Sequence, residues 1–112
     1  MPTKNPQEPY YRLNVAEAKE LIDEGAHVID VREAHELEKG HLPGVMHIPV
    51  NSVFARREEL PKDGKLIFVC SVGQRSALAC EMAAAGGIEA ERLYNIEGGT
   101  DAWVKAGEPL ET

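Results

Sequence analysis

The sequence predicts one α/β domain with a mainly parallel central sheet of about five strands and helices on both faces. Three observations predict it. Short apolar runs alternate with helix-patterned segments along the chain, the order produced by repeated strand–helix units. The run Leu66-Ile67-Phe68-Val69-Cys70 is apolar without alternation, which fits a strand covered on both faces. A length of 112 residues, 43% hydrophobic and 28% charged, suits a single globular domain.

Residues 1–9 carry three prolines and no apolar pattern, and read as a flexible N-terminal tail ahead of a domain over residues 10–112. Asn14 caps a helix running to about Glu24, with Glu17 completing a capping box and Val15, Ala18, Leu21 and Ile22 on one face. Gly25 ends it. Residues 27–31 read as a short strand, 33–39 as a polar helix-compatible stretch, and 40–44 as a loop. Residues 45–48 read as another strand, stopped by Pro49, and 52–60 as a helix ending before Pro61. After the apolar strand and a polar loop, Ser76 to Ala85 forms an alanine-rich helix with one charge, Glu81, terminated by Gly86-Gly87. Residues 92–96 give a further strand, 97–99 a turn, and 100–106 a last helix.

Charge and composition exclude several functions. Nineteen acidic against twelve basic side chains give a net charge of −7, and the only adjacent basic pair, Arg56-Arg57, is followed at once by Glu58-Glu59. Clustered cations for nucleic acid are missing. No apolar run approaches the ~18 residues of a membrane helix, and the N-terminus lacks the apolar core of a signal peptide. Two cysteines and four scattered histidines do not make a metal site of the usual spacing, and no cofactor motif is present. The expectation is a cytoplasmic, reducing setting in which a free thiol survives.

Open α/β sheets bind ligands where strands end and helices begin. The apolar strand delivers Cys70 there, followed by Ser71, Val72, Gly73, Gln74, Arg75 and Ser76 and then the helix. A thiol facing the first turn of a helix, within a loop whose glycine lets backbone N–H groups converge, is stabilised as thiolate. Residue type alone favours a buried structural cysteine, but strand end, loop glycine and helix start together favour a nucleophile. Cys80, mid-helix among alanines, reads as structural. Arg75 opposes the helix dipole in the first turn, so it either reaches an anion over the loop or pairs with a carboxylate to brace it.

Cys70-Ser-Val-Gly-Gln-Arg75-Ser76 resembles the C-x-x-G-x-R-[S/T] active-site loop of single-domain rhodanese-type sulfurtransferases. The resemblance runs from about Tyr11 to Pro109. Asp30-Val31-Arg32-Glu33 with Glu36 resembles the family's D-x-R-x-x-x-E signature, and residues 40–49 its G-H-I-P-G-A-x-x-I-P segment. Gly98-Gly99 with Trp103, Gly107 and Pro109 is similar to its G-G-x-x-x-W-x-x-x-G-x-P pattern. The resemblance implies a rhodanese-like fold and a double displacement. Cys70 takes a sulfane sulfur from thiosulfate or another donor as a persulfide, cradled by the amides of Ser71 to Ser76, and passes it to cyanide or a thiol. Asp30 and Arg32 would support the active-site face, or form a structural ion pair with Arg75 or Glu36. The best-known thiosulfate-using members carry cations directly after the cysteine, whereas Ser71 and Val72 are neutral. A protein or low-molecular-weight persulfide is therefore a candidate donor beside thiosulfate, and a persulfide-carrying or thiol protein a candidate partner.

Three rival readings stand against this. A cysteine phosphatase or arsenate reductase has a C-x5-R loop, and here the arginine comes one residue early. A rhodanese-like binding or sulfur-relay module with little thiosulfate activity is the alternative, although inactive binding modules commonly lose the cysteine that this chain keeps. A thiol redox sensor would need a resolving cysteine, for which Cys80 is poorly placed.

Overall fold

The computed structural model describes residues 2–112. Its strands are β1 (Thr3–Lys4), β2 (Tyr11–Leu13), β3 (His27–Asp30), β4 (Met46–His47), β5 (Leu66–Val69) and β6 (Leu93–Ile96). Its helices are α1 (Val15–Asp23), α2 (Ala34–Leu37), α3 (Gln74–Ala85) and α4 (Gly99–Lys105). The sheet order is β1-β2-β6-β5-β3-β4, every pairing parallel except the antiparallel β1–β2. β5 sits between β6 and β3, so its side chains meet a core on each face. Leu66, Phe68 and Cys70 join a cluster with Ala79, Cys80 and Ala83 of α3, and with Val50, Val53 and Leu60. Ile67 and Val69 join the opposite cluster with Ala18 of α1, Leu13, Ile96 and Trp103 of α4. A two-residue alternation inside an unbroken apolar run thus fills two separate cores.

Local chemistry explains the element ends. Asn14 Oδ1 accepts the Glu17 amide at 2.8 Å, and the Asn14 amide donates to Glu17 Oε1 at 2.8 Å, which starts α1 as the capping box predicts. Glu33 and Glu36 repeat the device at α2, with the Glu33 amide donating to Glu36 Oε1 at 2.9 Å. Trp103 Nε1 donates to Pro109 O at 2.8 Å and pins the C-terminal segment against α4.

The fold departs from the sequence reading in three places. The sheet has six strands, because residues 2–9 are not a loose tail: Thr3 and Lys4 pair with Arg12 and Tyr11 at the sheet edge. Glu8 accepts from Arg12 and from the Tyr10 hydroxyl, and the Lys4 ammonium donates to Glu8 O at 2.6 Å. Met1 lies outside the described residues. An open strand edge offers unpaired N–H and C=O groups to any adjacent chain, and pairs this short leave no periodic signal. β2, three residues long, is hidden in the sequence for the same reason. The segment 52–60 is not one helix but two 3-10 turns, Val50–Ser52 and Arg57–Glu59. Only Val53 and Leu60 of it anchor in the core; the positions between them on a helix face, 56 and 57, are arginines, so no continuous apolar stripe forms, and prolines bracket the segment. α3 begins at Gln74, two residues before its expected start, so Gln74 and Arg75 lie in its first turn.

Candidate active site

The parallel strands bring the carboxyl ends of β3, β5 and β6 to one edge of the sheet, where Cys70 follows β5. Gly73 takes a left-handed conformation, φ +101°, as the cap of α3, and this folds the loop back over the thiol. Cys70 Sγ accepts from the Gly73 amide at 3.1 Å, the Ser76 amide at 3.4 Å and the Ser76 hydroxyl at 3.4 Å. While the amides turn inward, two loop carbonyls are held from outside. The Thr100 amide donates to Cys70 O at 2.8 Å and the Asp101 amide to Ser71 O at 3.1 Å, both from the start of α4. Such an approach requires glycine at 99, with φ +56°, while Gly98, φ +77°, faces Ala102.

Burial pushes the Cys70 thiol up, but the Ser76 hydroxyl and the amides of Ser76, Gly73 and Val72 outweigh it and hold the group below the ordinary thiol value. Cys80 shows the opposite balance. It is fully buried in α3, its thiol donates to Tyr94 O at 3.5 Å, and burial drives it well above the ordinary range.

Arg75 is a brace in this structure. Its guanidinium grips Glu36 of α2 with two bonds, 2.8 and 2.9 Å, and donates to Ser71 Oγ at 3.2 Å. The bond from Arg75 is the main cause that lowers the Glu36 carboxyl to about 2. Asp30 and Arg32 pair with each other, Arg32 Nη2 lying 2.9 Å from Asp30 Oδ2, rather than with Arg75 or Glu36. The same guanidinium reaches Gly40 O at 2.9 Å, and a His47 ring nitrogen lies 2.7 Å from Arg32 O. This buried pair ties the end of β3 to the following loop. Among the described residues, the Asp30 and Arg32 side chains bond to each other, and Arg32 to Gly40 O, not to Cys70.

Val72 stands at the mouth of the loop, 55% exposed. A groove of about 260 Å³ opens beside it, lined by Gln74, Gly73, Asn95, Tyr10 and Arg12 among others. Two residues at the site were not singled out by the sequence reading. Glu36, expected at most as an ion-pair partner of the Asp30–Arg32 segment, pairs instead with Arg75. Asn95 bonds to both Ser76 and the loop, its Nδ2 lying 3.1 Å from Gly73 O. The signal for Asn95 was an amide inside the otherwise apolar run Leu93-Tyr94-Asn95-Ile96, which is buried throughout.

A strand-end cysteine inside a ring of amides has counterparts in known proteins. Residues 14–106 match the model of the rhodanese-like domain. The chain belongs to that family. It is 34% identical over 95 residues to YrkF of Bacillus subtilis, provisionally named a sulfur carrier protein, covering 85% of this chain and 50% of YrkF. The chain therefore spans about half the length of that relative. It is 28% identical to the thiosulfate sulfurtransferase GlpE of Actinobacillus pleuropneumoniae, covering 94% of this chain and 96% of GlpE. The crystal structure of a rhodanese-related protein from Thermoplasma volcanium superposes with a TM-score of 0.80 at 31% identity, covering 89% of this chain and 96% of that one. The family of this rhodanese-like domain comprises sulfurtransferases and sulfur carriers. Among the described residues, no helix is long and apolar enough to cross a membrane.

Proposed function

We propose that this domain transfers sulfane sulfur through a persulfide on Cys70. The observation that carries the reading is the convergence of the Gly73 amide, the Ser76 amide and the Ser76 hydroxyl on Cys70 Sγ. In the first step the Cys70 thiolate attacks the sulfane sulfur of the donor. A bond forms between Sγ and that sulfur, the donor's sulfur–sulfur bond breaks, and its electron pair leaves with sulfite or with a thiolate. In the second step an acceptor nucleophile, cyanide or a thiolate, attacks the outer sulfur and Cys70 leaves as thiolate. The two steps involve no net oxidation of the protein.

The charges at the mouth favour a persulfide donor over thiosulfate. Ser71 and Val72 are neutral, Arg75 is engaged by Glu36, and Arg12 by Glu8. A dianion would meet backbone amides without a free guanidinium beside them. The same engagement of Arg75 argues against phosphate chemistry, because the guanidinium that a phosphatase turns to its substrate is turned away here. Sulfur delivered by a small persulfide or a carrier protein, in a reducing compartment such as the cytoplasm, suits this site best.

The test is mass spectrometry after incubation with glutathione persulfide or thiosulfate, paired with assays for cyanide-dependent transfer and aryl phosphate hydrolysis. One added sulfur at Cys70 and no phosphatase activity are expected. Aryl phosphate hydrolysis abolished by Cys70→Ser would refute the reading.

A further inference from the structure

Ser76 Oγ has two acceptors and one hydrogen. It lies within hydrogen-bond distance of Cys70 Sγ, at 3.4 Å, and also of Asn95 Oδ1. The orientation of the Asn95 amide is fixed from its other end. Its Nδ2 faces Gly73 O at 3.1 Å, and a carbonyl only accepts, so Oδ1 must face Ser76. A thiolate likewise only accepts. Ser76, fully buried in α3, therefore cannot satisfy both neighbours at once.

We infer that Asn95 is a positioning residue for the sulfur chemistry: it competes with Cys70 for the Ser76 hydroxyl hydrogen, and the charge on Sγ decides which of them holds it. While Cys70 is a neutral thiol, S–H donates to Ser76 Oγ and the hydroxyl donates to Asn95. When Sγ becomes an anion the hydroxyl turns to it, since a bond to a charged acceptor is about twice as strong as a neutral one. In a persulfide the charge has moved to the outer sulfur, and the hydroxyl is again free for Asn95. The donor on Sγ is thus strongest when Sγ carries the charge and withdraws when it does not. The inference rests on the proposed function only in taking Cys70 as the nucleophile.

The charged groups around the loop do not confuse the effect. Arg75 is held by Glu36 and Arg32 by Asp30, and replacing Asn95 by a neutral residue alters none of them. Gly73 O keeps a second donor, the Ala77 amide at 3.3 Å, when the Asn95 side chain is removed.

The test is the pH profile of Cys70 alkylation by iodoacetamide, which needs no sulfur transfer and so separates this inference from the proposed function. Asn95→Ala and the near-isosteric Asn95→Leu should move the midpoint down by about one pH unit, the size of one hydrogen bond. Ser76→Ala should move it up, and adding either Asn95 substitution to Ser76→Ala should change nothing further. A rise with the Asn95 variants, no shift, or a fall that persists in the Ser76→Ala background would each overturn the inference. Nuclear magnetic resonance of the Asn95 side-chain amide in the unmodified protein gives a reading independent of those variants' folding. Its shift should inflect at the Cys70 midpoint, and a flat profile would also overturn the inference.

Discussion

The Cα of Gly99 lies so close to the carbonyl oxygen of Cys70 that a β-carbon added there would stand 2.2 Å from it. The same β-carbon would be 2.7 Å from Ser71 O. Both obstacles are backbone atoms of the loop that follows β5, which cannot swing aside as a side-chain tip can. Gly99→Ala is therefore expected to destabilise the domain by about 2–4 kcal/mol in urea unfolding, overpacking adding to the strain of a positive φ. Gly44→Ala is the control. It has a φ of +70° but nothing within 4 Å of the added carbon, and should lose only about 1 kcal/mol.

The two thiols should behave as different reagents. Iodoacetamide near neutral pH should label Cys70 and leave Cys80 unmodified in the folded protein, as peptide mapping would show. Cys80→Ser should keep persulfide formation and Cys70→Ser should lose it. A persulfide mapped to Cys80 would reverse the assignment.

Acid should weaken the loop brace over a defined window. Arg75 holds Glu36 at about 2 against an ordinary 4.5, so the folded state binds the proton less tightly than the unfolded chain. The resulting stability is present above pH 4.5 and is lost as the pH falls toward 2. Its size is about 2 kcal/mol once solvent screening of the partly exposed pair is allowed for. Wild type should lose that much more stability than Glu36→Gln between pH 5 and pH 2 (~2 kcal/mol) in urea melts.

Charge placed at the mouth should change donor preference. Val72→Lys leaves the backbone amide in place and adds one cation beside the loop. The KM for thiosulfate should fall about 3–10-fold at low ionic strength, with the gain vanishing in molar salt. Transfer from a glutathione persulfide should change less. Equal changes for both donors would show that charge at this position does not select between them.

The parts of the architecture set by side-chain pattern were legible before any coordinates. The unbroken Leu66–Val69 run, the Asn14–Glu17 capping box and the alanine-rich helix after Cys70 each carry their physical cause in adjacent residues. The edge pairing of Thr3 and Lys4 with Tyr11 and Arg12 was not legible, because its bonds are backbone bonds and its partner is remote from any pattern. The helix expected over 52–60 failed on packing: with Val53 and Leu60 as its buried anchors, no continuous helix face is needed. The placement of Cys70 in a loop whose amides converge on it followed from strand end, glycine and helix start. The partners of Arg75 and Arg32 did not: Glu36 lies 39 positions from Arg75, while Arg32 has Asp30, Glu33 and Glu36 close in sequence, and only the fold selects among them. The sequence admits Arg75 either as an anion ligand or as a brace for the loop, and the contact present in the structure is its bidentate hold on Glu36.

Because β5 divides its residues between two cores, Cys70 shares the α3 side with Leu66 and Phe68, while Ile67 and Val69 serve the other side. A slip of the strand by one position would exchange every one of these side chains between faces. Cys70 would then lie beneath α1 and α4, away from the amides of Gly73 and Ser76. Chemical competence is in this sense a parity check on the sheet: a misaligned chain could still be compact and apolar inside, yet it would hold no activated thiol.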